Sequence, residues 1–283
     1  MNSLLKRILA VALVAILAIF PLLTLADGWV KIGGGGDQYV IADGILYGLS
    51  PDRQGVYQFE GTPNSWTQVG GPARVLIGDG SSLYAISPAS GDIMRYTGTG
   101  KVWEKVGGPG SLHVCAGGKL FGLSPDRQGV YRFDGNPNSW TQVGGPAREL
   151  IGGGSSLYAI SPSSGDIMRY TGTGKVWEKV GGPGSQHVCA GGKLFGLSPD
   201  RQGVYRFDGN PNSWIQVGGP ARELIGGGNK LYAISPVSGD IMRYTGIEKA
   251  WDKVGGPGAL FVASGSTLYG LGVDRQAIFS YQE

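Results

Sequence analysis

Every tryptophan in this chain stands 37 residues from the next: Trp29, Trp66, Trp103, Trp140, Trp177, Trp214 and Trp251. A large ring that returns at one fixed interval marks a unit copied seven times. Units this short bury their apolar faces only against one another. Glycine and proline make up 69 of the 283 residues, a share that otherwise goes with disorder. A disordered tract holds no aromatic register over seven copies, so the period decides for a folded array.

The copy from Trp103 to Ser139 reads W-E-K-V, G-G-P-G, H-V-C-A, G-G-K, L-F-G-L, S-P-D-R-Q-G, V-Y-R-F and D-G-N-P-N-S. Four short runs rich in Val, Leu, Tyr and Phe alternate with turn-forming clusters, the pattern of strands and tight connections. No window has the length or the period of a helix. The unit is therefore expected to be a four-stranded antiparallel blade, and the chain an all-β, seven-bladed β-propeller. From Trp29 to Glu283 the sequence falls four residues short of seven whole units. The missing piece is the loop that would lead into one more tryptophan strand. The strand Trp29-Val30-Lys31-Ile32 is thus predicted to complete the blade formed by residues 258–283, which removes two open sheet edges.

The first 26 residues read differently. Lys6 and Arg7 precede an apolar run from Ile8 to Leu23, and Thr24-Leu25-Ala26 supplies small residues before Asp27. This anatomy predicts a secretory leader cut between Ala26 and Asp27, with the propeller occupying 27–283. An uncleaved membrane anchor is the alternative, because the run is nearly long enough to span a bilayer. Without the leader the chain carries 22 basic and 21 acidic residues. A near-neutral exported protein has no electrostatic footprint for nucleic acid or for anionic lipid.

Two blade types alternate. Four units carry a D-R-Q turn: Asp52-Arg53-Gln54, Asp126-Arg127-Gln128, Asp200-Arg201-Gln202 and Asp274-Arg275-Gln276. The other three carry S-G-D-I-M-R-Y, as at Ser90 to Tyr96. The duplicated unit is therefore a pair of blades, and residues 103–176 match 177–250 at 66 of 74 positions. Strand direction places each D-R-Q turn on the same face as the G-G-P-A-R segment of the following blade, such as Gly144 to Arg148. The opposite face should show the Gly-Gly-Lys and Asn-Pro-Asn-Ser turns. Arg, Asp and Gln beside exposed backbone suit hydroxylated ligands. Ser-Pro-Asp and Gly are also ordinary turn chemistry, and an Asp-Arg pair there can be a local ion pair of small worth.

The W-x-x-V-G-G opening, the L-Y-G-L or L-Y-A-I strand, and the G-V-Y-R-F or D-I-M-R-Y strand before the next Trp resemble repeats of the tectonin and tachylectin type. The likeness runs through every unit from Trp29 onward. It implies a carbohydrate-binding lectin with several equivalent shallow sites near blade junctions, taking glycans or cell-surface glycoconjugates. It carries over no sugar-contacting residue, since the family varies in blade number and repeat length. The tryptophans themselves are expected to fill the wedges between blades rather than to stack on sugars.

Other constellations argue against chemistry. His113-x-Cys115 and His187-x-Cys189 hold the only histidines and cysteines. They fall in equivalent strands two blades apart, so buried thiols and satisfied imidazoles are expected there, rather than a zinc site or a disulfide. Ser50 to Tyr57 is similar to the Asp box of sialidase propellers but has an extra residue before Gly55. Near-identical blades repeat one environment, whereas catalysis wants separated roles in one place. No phosphate loop, calcium loop or Ser-His-Asp order is present, and no cofactor is implied. Three readings stand: a secreted lectin, a secreted or surface scaffold for a protein partner, and a sialidase-like hydrolase.

Overall fold

A computed structural model describes residues 28–79 and 81–282. The leader, the cleavage site and the alternative anchor lie outside those residues. Among the described residues, 28 strands form seven sheets of four antiparallel strands each. The protein is a seven-bladed β-propeller. Blades 1 to 6 span residues 38–70, 75–107, 112–144, 149–181, 186–218 and 223–255, and blade 7 joins 260–281 to Trp29–Gly34. In that last sheet Trp29 sits opposite Tyr281, Lys31 opposite Phe279 and Gly34 opposite Ala277. The first strand therefore closes the ring as its sequence implies.

The core lies between blades. Seven hydrophobic clusters are present among the described residues, one at each junction. At the junction of blades 1 and 2, Leu49, Val56 and Val69 meet Leu76, Leu83 and Ala85. The tryptophan of each outermost strand then reaches back to the preceding blade. Trp66 Nε1 donates to Ile32 O at 3.0 Å, Trp103 to Val69 O at 2.8 Å and Trp140 to Val106 O at 2.9 Å. Trp177, Trp214 and Trp251 repeat the contact, and Trp29 completes the circle on Val254 O at 2.7 Å. The acceptor belongs to the bulged residue of each outer strand, where the register slips by one. The glycine after it lies under the indole: a Cβ on Gly107 would meet Trp140 Nε1 at 2.8 Å. Much of the glycine content is thus room for the next blade's ring.

On one face, the hairpins of the innermost strands join laterally. Gly117 N donates to Gly154 O at 2.6 Å and Asn229 N to Gly265 O at 2.7 Å. The innermost strands surround a central cavity of about 820 Å³. The D-R-Q turns and the blade-to-blade connections occupy the other face.

Candidate functional site

Each D-R-Q turn is built by its own side chains. The hydroxyl of Ser124 donates to Asp126 Oδ1 at 2.6 Å and accepts from Gly129 N at 2.9 Å. The same carboxylate oxygen accepts from Gln128 N at 3.0 Å. Blades 1 and 5 repeat these bonds through Ser50 and Ser198. The serine hydroxyl, then the backbone N–H, holds Asp52, Asp126 and Asp200 below the ordinary carboxylate range. Asp274 keeps the backbone bond from Gln276, at 2.9 Å.

The arginines do not pair with these neighbouring aspartates. They cross to the next blade, and the local ion pair that the sequence allowed is replaced by an inter-blade tie. Arg127 Nη1 donates to Arg148 O at 2.9 Å, Arg201 Nη1 to Arg222 O at 2.8 Å, and Arg53 Nη1 to Arg74 O at 3.3 Å. Their own carbonyls accept from Ala147, Ala221 and Ala73, each at 3.2 Å. The D-R-Q turn and the following G-G-P-A-R segment therefore share one face, in hydrogen-bonding contact. All four arginines sit in the left-handed region, with φ between 59° and 60°, an uncommon place for a side chain larger than Asn.

Seven blades cannot alternate perfectly, so two D-R-Q blades, 7 and 1, stand side by side. There Asp37 takes the place of the connecting arginine. Its backbone oxygen accepts from Arg275 Nη2 at 2.9 Å and its carboxylate pairs with Arg53 Nε at 2.8 Å. The S-G-D turns are closed in another way. Asp92, Asp166 and Asp240 each bind a lysine of the same blade, Lys105, Lys179 and Lys253, at 2.8–2.9 Å. Gly91, Gly165 and Gly239 take the left-handed position in these turns, with φ of 74°.

Among the pockets between blades is a matched pair that reading single motifs missed. A pocket of about 330 Å³ lies between blades 2 and 3, lined by Pro109, His113, Ser124, Pro125, Tyr131 and Trp140, among others. Its twin of about 280 Å³ lies between blades 4 and 5, around Pro183, His187, Ser198, Pro199, Tyr205 and Trp214. Ser124-Pro125 and Ser198-Pro199 lead directly into the D-R-Q turns, so pocket and turn adjoin. Burial, and then the charge of Arg74 or Arg148, lowers both imidazoles to about 4. The signal was available by aligning repeats: the equivalent position is Tyr39 in blade 1 and Phe261 in blade 7. Cys115 and Cys189 are buried thiols between blades. No group of three or more His, Cys, Asp and Glu side chains gathers at metal-binding distance among the described residues.

No protein-family model and no curated protein matches this sequence. Among solved structures the chain is similar to YCF48 from Cyanidioschyzon merolae, with a TM-score of 0.60 at 13% identity, covering 90% of this chain and 98% of that one. YCF48 bound to D1 peptide gives 0.59 at 12% identity, over 91% and 98%. The Niastella koreensis GH74 enzyme gives 0.59 at 13% identity, over 89% of this chain and 43% of that one. At these identities the likeness speaks for the propeller fold alone.

Proposed function

We propose that this protein is an exported, non-catalytic propeller that binds glycans through several weak sites on its D-R-Q face. The observation that supports this reading is the state of Arg127, Arg201 and Arg275, each tied by its guanidinium to one backbone carbonyl of the next blade, while Arg53 also pairs with Asp37. Among the described residues, the Arg127 side chain has one hydrogen-bond partner, Arg148 O. A guanidinium carries five N–H donors in a rigid fork, so the remaining ones face an exposed surface beside Gln128. A donor pinned at one corner loses little freedom when it binds, which suits a strongly hydrated hydroxylated ligand. Four copies at related positions raise apparent strength on a dense glycan by about 10² over a single site. The near-identity of the blades, with no asymmetric cluster of acid, base and nucleophile among the described residues, supports binding rather than turnover.

The experiment is a glycan array with the protein, followed by competition with free sugar. Changing Arg53, Arg127, Arg201 and Arg275 together to Gly removes the donors while relaxing the left-handed backbone, so binding to dense glycans should disappear while the fold persists. One tight site per chain in calorimetry, full binding by the quadruple variant, or release of sugar from a glycoside would overturn the reading. A second reading, a scaffold for a protein partner, is favoured by the twin apolar pockets, and a propeller of similar fold, YCF48, has a structure bound to D1 peptide.

A further inference from the structure

The twin pockets carry chemistry of their own, whatever the D-R-Q turns bind. His187 is only 7% exposed, and it lines the pocket between blades 4 and 5. Among the described residues no hydrogen bond reaches its imidazole. Its ring instead meets Trp214 edge-on, with centroids 6.5 Å apart. No buried side-chain nitrogen or oxygen lacks a partner among the described residues, so imidazole nitrogens that make no protein bond open onto the pocket, where a ligand can replace water. His113, less deeply buried, lines the equivalent pocket one 74-residue copy earlier.

The sister blades show what fits there. The ring tips of Tyr39, His113, His187 and Phe261 lie against equivalent glycines. A Cβ on Gly110, Gly184 or Gly258 would meet His113 Nε2, His187 Nε2 or Phe261 Cζ at 2.6 Å, and one on Gly36 would meet Tyr39 Cζ at 2.7 Å and its hydroxyl at 2.6 Å. In blade 1 the position holds a phenol, and its hydroxyl extends further to donate to Gly34 O at 3.2 Å. The residues equivalent to Gly34 are Gly108 and Gly182, and both line the twin pockets. The shorter histidine therefore leaves vacant the place of a phenolic hydroxyl and leaves a backbone carbonyl without that donor. The rest of the lining is Ile, Leu, Pro, Gly, Tyr and Trp, with a serine whose hydroxyl is already engaged in its own turn, and it accepts a flat ring edge-on or offset. A hexopyranose would bring four or more hydroxyls against this mostly apolar lining, at a cost in lost water that the single hydroxyl of a phenol avoids.

The geometry points to two equivalent sites, at His113 and His187, that each take a phenol-type ring, either a tyrosine side chain of a partner protein or a small phenol. The test uses the only two histidines of the chain as reporters. Titrating the protein with 4-methylphenol should shift both imidazole signals in nitrogen-15 NMR, with two sites per chain and a Kd of about 1 mM for so small a probe. N-acetyltyrosinamide should shift the same signals, which assigns the sites to a side chain. Its failure beside a positive 4-methylphenol would support the pocket and assign it to free phenols. The variant His113→Phe with His187→Phe installs the ring that blade 7 already carries, and should weaken binding at least tenfold. The variant with Tyr at both positions, as in blade 1, should do the same and guards against one replacement failing to fold. Unmoved imidazoles at saturating probe, undiminished binding by both variants, or shifts with methyl hexopyranosides but not with 4-methylphenol would overturn the assignment.

Discussion

At the scale of single residues, the repeated unit spends its side chains on holding blades together. Arg127 illustrates this: a left-handed backbone costs a non-glycine residue on the order of 1 kcal/mol, and the tie to Arg148 O offsets it. Arg127→Ala keeps the strained backbone and loses the tie, so urea denaturation should show a loss of about 1 kcal/mol. Arg127→Gly relaxes the backbone and should return most of that loss. The paired glycines after each Val differ as sharply. A Cβ on Gly144 would meet Trp177 Nε1 at 3.0 Å, while one on Gly145 meets nothing. Gly144→Ala should therefore cost about 2 kcal/mol and Gly145→Ala almost nothing, read from their melting temperatures. The histidines give stability a slope against pH. Folding lowers both imidazoles from 6.5 to about 4, so the unfolded chain binds more protons between those values. Stability should be complete above pH 6.5 and fall on acidification toward pH 4, by up to about 3 kcal/mol per imidazole. Replacing both with Phe should flatten that part of a stability–pH profile.

Among the elements, the first strand has the largest task. Trp29–Gly34 supplies the fourth strand of blade 7, and Trp29 gives the seventh indole bond, to Val254 O. Without it, the strand Ala277–Tyr281 loses one of its two partners and the junctions of blade 7 with blades 6 and 1 lose Trp29 and Ile32. Deleting residues 29–34 should lower the melting temperature by 10 °C or more, since several kcal/mol of burial leave together. An unchanged melting curve would refute closure by this strand. The two turn types show the same economy of parts at smaller size. Ser-Pro-Asp-Arg-Gln-Gly closes on its own serine and reaches outward with arginine, whereas Ser-Gly-Asp closes on a lysine of its own blade.

For the whole molecule, an odd number of blades meets a two-blade repeat, and the mismatch falls where the ring closes. Blades 7 and 1 are both of the D-R-Q type, and Asp37 stands there in place of arginine, binding both Arg275 and Arg53. The 37-residue period determined the blade, its strands and the closure, because each blade can bury its faces only on a neighbour and a ring leaves none uncovered. The same period located the D-R-Q turns on one face, since antiparallel strand order alone decides which turns emerge together. What the arginines touch was decided by the tertiary structure. Sequence neighbours suggested Asp126 beside Arg127, but a left-handed residue turns its side chain across the junction to Arg148, 21 positions away. The twin pockets were decided there too. A histidine among repeats reads as one more ring until its tip is set against Gly110 or Gly184, with Ile93 or Ile167 of the preceding blade across the pocket and the Tyr39 hydroxyl's place empty. A cavity depends on the distance between two blades, and no local run of residues contains that distance.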